Sequence, residues 1–281
     1  MIAQLTQHNT LGEWLTARHS MIGASESPGI LGCGYASESP FSIWARKTQA
    51  DQEEGAEENE SFEWGHAIQP VALKIFSRRE NIRVDNLGDF TIARHPKIPW
   101  LGCTLDAFAD APEEAVIECK NVGHYNAGEW DAEEPPLRVQ VQMSHQMLVT
   151  GARAGWAVAC IGGKRLVARR IERNERFIDA MFIRLQAFWQ CVRNGTPPPI
   201  DSSAATSVAL ARLHPEDNGA VAVLCGSEHD AAIKQLHDAI EQIKYHEDRK
   251  RLAANTLRAA IGPGTFAVGP EGEWLSLKTQ T

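Results

Sequence analysis

Asp106, Glu118 and Lys120 stand in the stretch LDAFADAPEEAVIECKN, residues 105 to 121. Eleven residues separate the two carboxylates, and Lys120 follows Glu118 by two. Side chains alternate faces along a strand, so Val116, Glu118 and Lys120 share one face while Ile117 and Cys119 take the other. If the segments flanking the APEE break pair as a hairpin, Asp106 stands across from Glu118. Two carboxylates and a backbone carbonyl between them are the hard oxygen donors that Mg²⁺ or Mn²⁺ prefers. Such an ion activates water and polarises a phosphate, and a nearby ammonium stabilises charge building on phosphate oxygens. The plain alternative is a solvated hairpin, in which an exposed Glu–Lys pair contributes under about 1 kcal/mol. Spacing alone leaves both readings open.

The elements that must hold these residues are legible around them. TLGEWLTARHS, residues 10 to 20, reads as a short helix, broken after it by Gly23, Pro28 and Gly29. SPFSIWARKTQ has Ser39 placed to cap a helix and Pro40 just inside its start. The acidic run 51 to 61 has no apolar periodicity and reads as a mobile, solvated loop. From Phe62 to Arg79, Ile68, Ala72, Leu73 and Phe76 recur at helical spacing. Strands follow at about 87–95, 102–109 and 115–121, with Asp106 near the middle of the second. PPLRVQVQMSHQMLVTG is a helix bounded by Pro135, Pro136 and Gly151. A hairpin turning at Gly162-Gly163 comes next, then a long amphipathic helix that stops at Gly195.

The Pro-rich TPPPID marks a boundary, giving a first domain of 1–200 and a helical extension of 201–281. The extension opens with a low-complexity polar stretch. An apolar pattern in heptad-like steps follows from Ser227, read as one long helix or a helical hairpin ended by Gly262-Pro263. A terminal β-hairpin turns across GPEG, from Gly269 to Gly272.

Composition sets further bounds. A hydrophobic share of 43% and a charged share of 23% are those of a globular chain with a sizeable core. No eighteen-residue apolar run or secretory leader is present, so neither a membrane span nor export is expected. The six cysteines form no C-x-x-C pair, which fits a reduced, cytoplasmic chain without structural zinc. The net charge of −8 excludes a protein coated in nucleic-acid-binding surface but allows a local basic groove. Arg153, Lys164, Arg165, Arg169 and Arg170 line either such a groove or a solvated hairpin face. Phe177, Phe182, Phe188 and Trp189 read as core. His66, His124 and His145 lack metal-ligand spacing and read as structural or DNA-facing.

Several stretches in order resemble the PD-(D/E)xK nuclease superfamily, and within it the YqaJ-type and lambda-exonuclease-like recombination nucleases. They are Arg18 followed by IGASESPGILG, SPFSIWARK, FEWGHAIQPVALKIF, PWLGCTLDAF, VIECKN, and VQMSHQMLVTGARAGWAVACIGG. The tail, a long charged helix followed by a short strand pair containing Trp274, also resembles a common appendage. The resemblance spans almost the whole chain. It implies an α/β (α+β) fold with a restriction-endonuclease-like core: a central mixed β-sheet flanked by helices.

By the same resemblance Asp106 and Glu118 are metal ligands, with the Cys119 carbonyl as a third, and Lys120 is the catalytic lysine. Gln142 sits on the helix whose Gln positions the nucleophile or DNA. Arg18 and Ser25 match positions that hold a 5′-terminal phosphate, with Thr104 as a helper. Two departures stand out: Gln69 occupies the place of a family Glu, and Ser144 that of a second Gln, with Gln146 further on. The implied function is a Mg²⁺- or Mn²⁺-dependent exonuclease. It resects linear double-stranded DNA ends from the 5′ side for a single-strand annealing protein in phage-type recombination. The implied assembly is a homo-oligomer, a trimer by resemblance, in the bacterial host cytoplasm. A structure-specific or restriction-like endonuclease and a catalytically weak DNA-end-binding scaffold are the rival readings.

Overall fold

A computed structural model describes residues 1–49, 60–110, 113–216 and 219–276. The chain divides into two compact units, Met1–Glu216 and Asp217–Thr281.

The first unit opens with a strand, β1 (Gln4–Gln7), and a helix, α1 (Leu11–His19). The Thr10 side chain accepts from Glu13 N and satisfies one of the free N–H groups that start α1. A 3₁₀ turn, Ala24–Glu26, leads into the fully buried one-turn helix α2 (Ser27–Ile30). Helix α3 (Pro40–Thr48) has Ser39 as its cap and Pro40 at its first position, as the sequence predicts. Helix α4 (Glu60–Glu80) continues through Pro70. Most of the acidic run expected as a mobile loop, up to residue 59, lies outside the described residues. Its last two residues, Glu60 and Ser61, open α4.

Two sheets carry the first unit. In one, β1, β2 (Thr91–His95) and β3 (Ile98–Cys103) run antiparallel in that order. The other is mixed, in the order β4 (Ala107–Ala109), β5 (Ala115–Val122), β6 (Ala154–Ile161), β7 (Arg165–Glu172). The pair β5–β6 is parallel, while β4–β5 and β6–β7 are antiparallel. Parallel neighbours need a crossover, and helix α5 (Leu137–Thr150) supplies it. Gly151, in the left-handed region at φ 75°, ends that helix.

Helix α5 packs on one face of the mixed sheet, where Val139, Met143 and Met147 join Val116, Ala157 and Ala159 in one core cluster. Helix α4 covers the other face, placing Leu73 and Phe76 against Ala107, Ile117 and Val158. The close approach of α5 depends on Gly155. A Cβ there would lie 2.5 Å from Met143 Cε and 3.1 Å from Val116 Cγ2. A long helix, α6 (Glu175–Asn194), follows β7 and ends at Gly195, φ 63°. Its aromatic residues are core, as expected: Phe188 is buried, and Trp100 stacks on Phe182 and Trp189.

Three sequence expectations change. The segment 102–109 is not one strand, because β3 pairs with β2 in the first sheet and β4 pairs with β5 in the second. The chain switches sheets across Thr104–Asp106, so Asp106 lies on a linker at the mouth of β4. Strand β1, four exposed residues that pair with β2, had no sequence signal. The boundary set after residue 200 moves to Glu216, since the supposed polar stretch contains helix α7 (Ala204–Leu213). Its Ala209 packs against Phe41 and Ala45 of α3, and Thr206 Oγ1 lies 2.8 Å from Ser39 Oγ.

In the second unit α8 (Ser227–Ile261) is a single 35-residue helix rather than a helical hairpin. Strands β8 (Phe266–Val268) and β9 (Trp274–Ser276) pair antiparallel beyond Gly262. Among the described residues no helix is long and apolar enough to cross a membrane.

Candidate active site

Strand β4 pairs with β5 only as far as Ala107 opposite Ile117, so the next step along both chains brings Asp106 beside Glu118. Asp106 Oδ2 accepts a hydrogen bond from Cys119 N at 2.7 Å. The N–H and C=O of one extended residue point to the same edge. The Cys119 carbonyl is therefore directed to the edge where β4 has ended and Asp106 stands.

Glu118 is buried on the α5 face. Its Oε1 lies 2.7 Å from Lys120 Nζ and accepts from Gln142 Nε2 at 2.7 Å. Lys120 Nζ also donates to Gln142 Oε1 at 3.0 Å, closing a ring of carboxylate, ammonium and amide. Glu118 Oε2 accepts from Gln146 Nε2 at 2.5 Å. A carboxylate held by three donors has a fixed orientation, and burial makes each bond stronger than it would be in water.

Positive charge is short here. Burial, then the neighbouring charge of Glu118, pushes the Asp106 carboxyl well above the usual carboxylate range, against the Cys119 N–H and Lys120. Burial would lower the pKa of Lys120, yet the Glu118 carboxylate and Asp106 together raise it, so the ammonium stays charged. Burial and both carboxylates push the Cys119 thiol up to about 12, which leaves its carbonyl rather than its sulfur as a donor. Its side chain packs on the α4 side of the sheet.

Among the described residues no three His, Cys, Asp or Glu side chains gather as a metal site. The donor set of two carboxylates and a carbonyl nevertheless suits a hard divalent cation that keeps much of its water. Two like charges with one ammonium are the electrostatic condition such an ion relieves. Gln146 Oε1, buried without a hydrogen-bond partner, adds one more oxygen in the same cluster.

Gln69, where the resemblance leads one to expect Glu, does reach the site. Its Nε2 donates to the Asp106 backbone carbonyl at 3.5 Å, and so ties α4 to the linker that carries Asp106. Arg18 and Ser25 also meet, with Arg18 Nη2 3.3 Å from Ser25 Oγ and its guanidinium 4.5 Å from the Trp14 ring centroid. Ser25 shares a cleft of about 120 Å³ with Lys120, Gln142, Tyr35 and Arg138. The structure thus places Ser25 on the same opening as Lys120. Thr104 lies on the linker two residues before Asp106, and among the described residues its hydroxyl bonds none of the others.

Three contacts were missed in the sequence. Gln146, not Ser144, is the second amide on Glu118. It lies one helical turn beyond Gln142, and i and i+4 share a face, a spacing that would have found it. The Ser144 hydroxyl donates instead to Gln140 O at 2.7 Å. The buried Lys47 ammonium holds the turn that carries Ser25, reaching Met21 O at 2.6 Å and Glu26 Oε2 at 2.9 Å. Tyr35 and Arg138 stack at the cleft mouth, guanidinium to ring centroid 4.9 Å.

His145 is structural. It bridges Ser27 Oγ at 2.5 Å and Gly102 O at 3.0 Å, and burial lowers its pKa to about 4. Much of the basic set on the β6–β7 hairpin is spoken for by intramolecular partners. Arg165 pairs with Asp131, Arg169 donates to Trp130 O and Ala132 O, and Arg170 pairs with Glu113 and Glu172.

The chain is similar to several known proteins. The model of the YqaJ-like viral recombinase domain matches residues 13–153, half of the chain and the part that carries every candidate site residue. Protein YqaJ of Bacillus subtilis (strain 168) is 29% identical over 250 residues, covering 88% of this chain and 76% of that protein. The crystal structure of an alkaline exonuclease, LHK-Exo from Laribacter hongkongensis, superposes with a TM-score of 0.57 at 20% identity. That match covers 66% of this chain and 93% of the enzyme. LHK-Exo in complex with dAMP gives a TM-score of 0.56 at 20% identity, over 73% and 98%. At such identity these superpositions speak for the fold: a mixed sheet flanked by helices. The chain belongs to the YqaJ-like viral recombinase domain family.

Proposed function

We propose that this protein is a divalent-metal-dependent deoxyribonuclease of recombination, an exonuclease that resects linear double-stranded DNA from its 5′ ends. The observation that carries this reading is the ring of Glu118, Lys120 and Gln142, joined by Gln146, at the open edge of β5, with Asp106 bonded to the neighbouring Cys119 N–H. Membership of a recombinase family and a fold shared with an alkaline exonuclease support it.

Asp106, Glu118 and the Cys119 carbonyl would hold Mg²⁺ or Mn²⁺. When bound, the ion supplies Lewis acidity toward a phosphate oxygen and toward water. Glu118, fixed by its three donors, presents an oxygen in a constant direction. Lys120, kept protonated, places positive charge where negative charge grows on the phosphate, and Gln142 holds its ammonium in place. Arg18, in the last turn of α1, and Ser25, on the turn beside the Lys120 opening, offer a guanidinium and a hydroxyl, a suitable cradle for a terminal 5′-phosphate, with Thr104 near Asp106 as a helper. Products with 3′ overhangs suit a single-strand annealing protein as partner. A homo-oligomer, a trimer by resemblance, acting in the cytoplasm of a bacterial host completes the reading.

Digestion of linear duplex labelled at either the 5′ or the 3′ end, with and without a 5′-phosphate, tests it. Loss of the 5′ label first, dependence on Mg²⁺ or Mn²⁺, and intact closed circular DNA are expected. Asp106→Ala and Lys120→Ala should each abolish resection. Resection at the wild-type rate by both variants would refute the catalytic assignment, and nicking of closed circles would replace the exonuclease with an endonuclease.

A further inference from the structure

Helix α8 has no buried residue along its 35-residue length, although it carries large apolar side chains. Ile233, Leu236, Ile240 and Ile243 are each more than 40% exposed, and so is Leu257. They follow the three-four step of a coiled-coil seam, which Ala254 and Ile261 continue. Two members of the seam are charged: Glu247 and Lys250 occupy the a and d positions at its middle.

These charges select an arrangement. In a parallel pair each seam residue meets its own copy, so Glu247 would face Glu247 and Lys250 would face Lys250, a destabilising stack of like charges. In an antiparallel pair a positions pack against d positions. One register then sets Glu247 against Lys250 of the other chain, twice by symmetry. The same register sets Leu236 against Ile261, Ile240 against Leu257 and Ile243 against Ala254. Sliding by one heptad either way places both charges against apolar residues, which costs their desolvation without a partner.

The charge along the rest of the helix agrees. The half before Lys244 carries Glu228, Asp230, Asp238 and Glu241 against Lys234 alone. The half from Lys244 onward carries Lys244, Arg249, Lys250, Arg251 and Arg258 against Glu247 and Asp248. Within the overlap an antiparallel partner brings the end carrying Asp238 and Glu241 alongside the end carrying Arg258 of the other copy, and the two helix dipoles oppose. The adverse contact, Lys244 facing Arg251 of the other copy, also occurs twice and falls on the solvated rim, where salt screens it. A helix from another class of protein would have no reason to match this pattern of opposite halves with a central Glu and Lys.

We propose that α8 is a homotypic contact: two copies of this chain pair antiparallel along residues 236–261, registered by reciprocal Glu247–Lys250 ion pairs. Twenty-six residues of overlap make a seam of about 39 Å at 1.5 Å per residue. The contact has twofold symmetry, and it doubles whatever assembly the first unit forms.

The test is the solution mass of the full-length protein by sedimentation equilibrium at moderate salt. Wild type should have twice the mass of the Ile240→Asp, Leu257→Asp variant. Glu247→Lys and Lys250→Glu should each weaken the association at least tenfold, and the two together should restore it to within a few-fold of wild type. Equal mass for wild type and the seam variant overturns the proposal. Failure of the combined charge swap to restore pairing also overturns it, and this comparison holds even if the aspartates unwind the helix. Mass is read without cleavage, so a protein that pairs but does not cut DNA refutes the proposed function and leaves this contact standing.

Discussion

Replacing Gln146 by Met separates the role of Gln146 in stability from its role at the site. The side chain keeps its length and apolar bulk but loses the hydrogen bond from Nε2 to Glu118 Oε2, at 2.5 Å the shortest of the three donors on that carboxylate. A hydrogen bond to a charged group contributes about 1.5–3 kcal/mol. The substitution also deletes Gln146 Oε1, buried without a partner, and relieving such a group returns about 1–3 kcal/mol. The two offset, so unfolding free energy should change by no more than about 2 kcal/mol, and Tm by no more than about 8 °C for a unit of this size. Activity has no such compensation, because Glu118 is left with Lys120 and Gln142 on one oxygen and none on the other. Loss of about 1.4 kcal/mol of positioning corresponds to a tenfold slower turnover. Thermal melts beside single-turnover resection of linear duplex measure both quantities. A large fall in Tm with unchanged turnover would refute the reasoning and make Gln146 a core residue.

The remaining predictions come from neighbouring contacts. Gln69→Glu places a third carboxylate next to Asp106, so divalent-cation affinity measured by calorimetry should rise; no change would show that Gln69 acts on the Asp106 backbone alone. Gly155→Ala would set a Cβ 2.5 Å from Met143 Cε, so the end of that buried side chain must shift, and the repacking should cost about 1 kcal/mol, with partial recovery in a Met143→Ala background. His145 is neutral when folded because burial lowers its pKa to about 4, whereas the unfolded chain binds the proton near 6.5. The unfolded state therefore takes up more protons between those values, and stability falls as pH drops from about 6.5 toward 4. His145→Gln should flatten that part of the urea-midpoint profile relative to wild type by on the order of 2 kcal/mol at pH 5, and a parallel profile would contradict it.

What could be read in advance was local. The caps Ser39 and Gly151, the alternation around Glu118 and Lys120, and the helical spacing of α4, α5 and α6 all follow from short-range rules, and the structure has them where the residues put them. What escaped depends on partners far along the chain. β1 is four exposed residues whose only reason to be extended is β2, more than eighty positions away. Asp106 reads from the sequence as mid-strand because nothing local signals that Cys103 and Ala107 belong to different sheets. Helix α7 is rich in Ala, so its small apolar face shows only against Phe41 and Ala45. Gln146 is the exception. Its contact obeys a local rule, the i+4 step from Gln142, which puts it rather than Ser144 on Glu118.

The parallel pairing of β5 with β6 has a consequence for how the protein comes into being. When synthesis reaches Val122, the chain already holds Asp106, Glu118 and Lys120, but β4 offers β5 only three residue pairs. The amides that orient Glu118 arrive with α5, and the eight-residue pairing that fixes β5 waits until Ile161 has been made. Non-local parallel pairing is among the slower events in folding. The three residues are therefore on the ribosome well before they form a site. A nascent or truncated chain that ends ahead of β6 carries the full set of charged groups without the order of the folded site, which appears only when the central sheet closes.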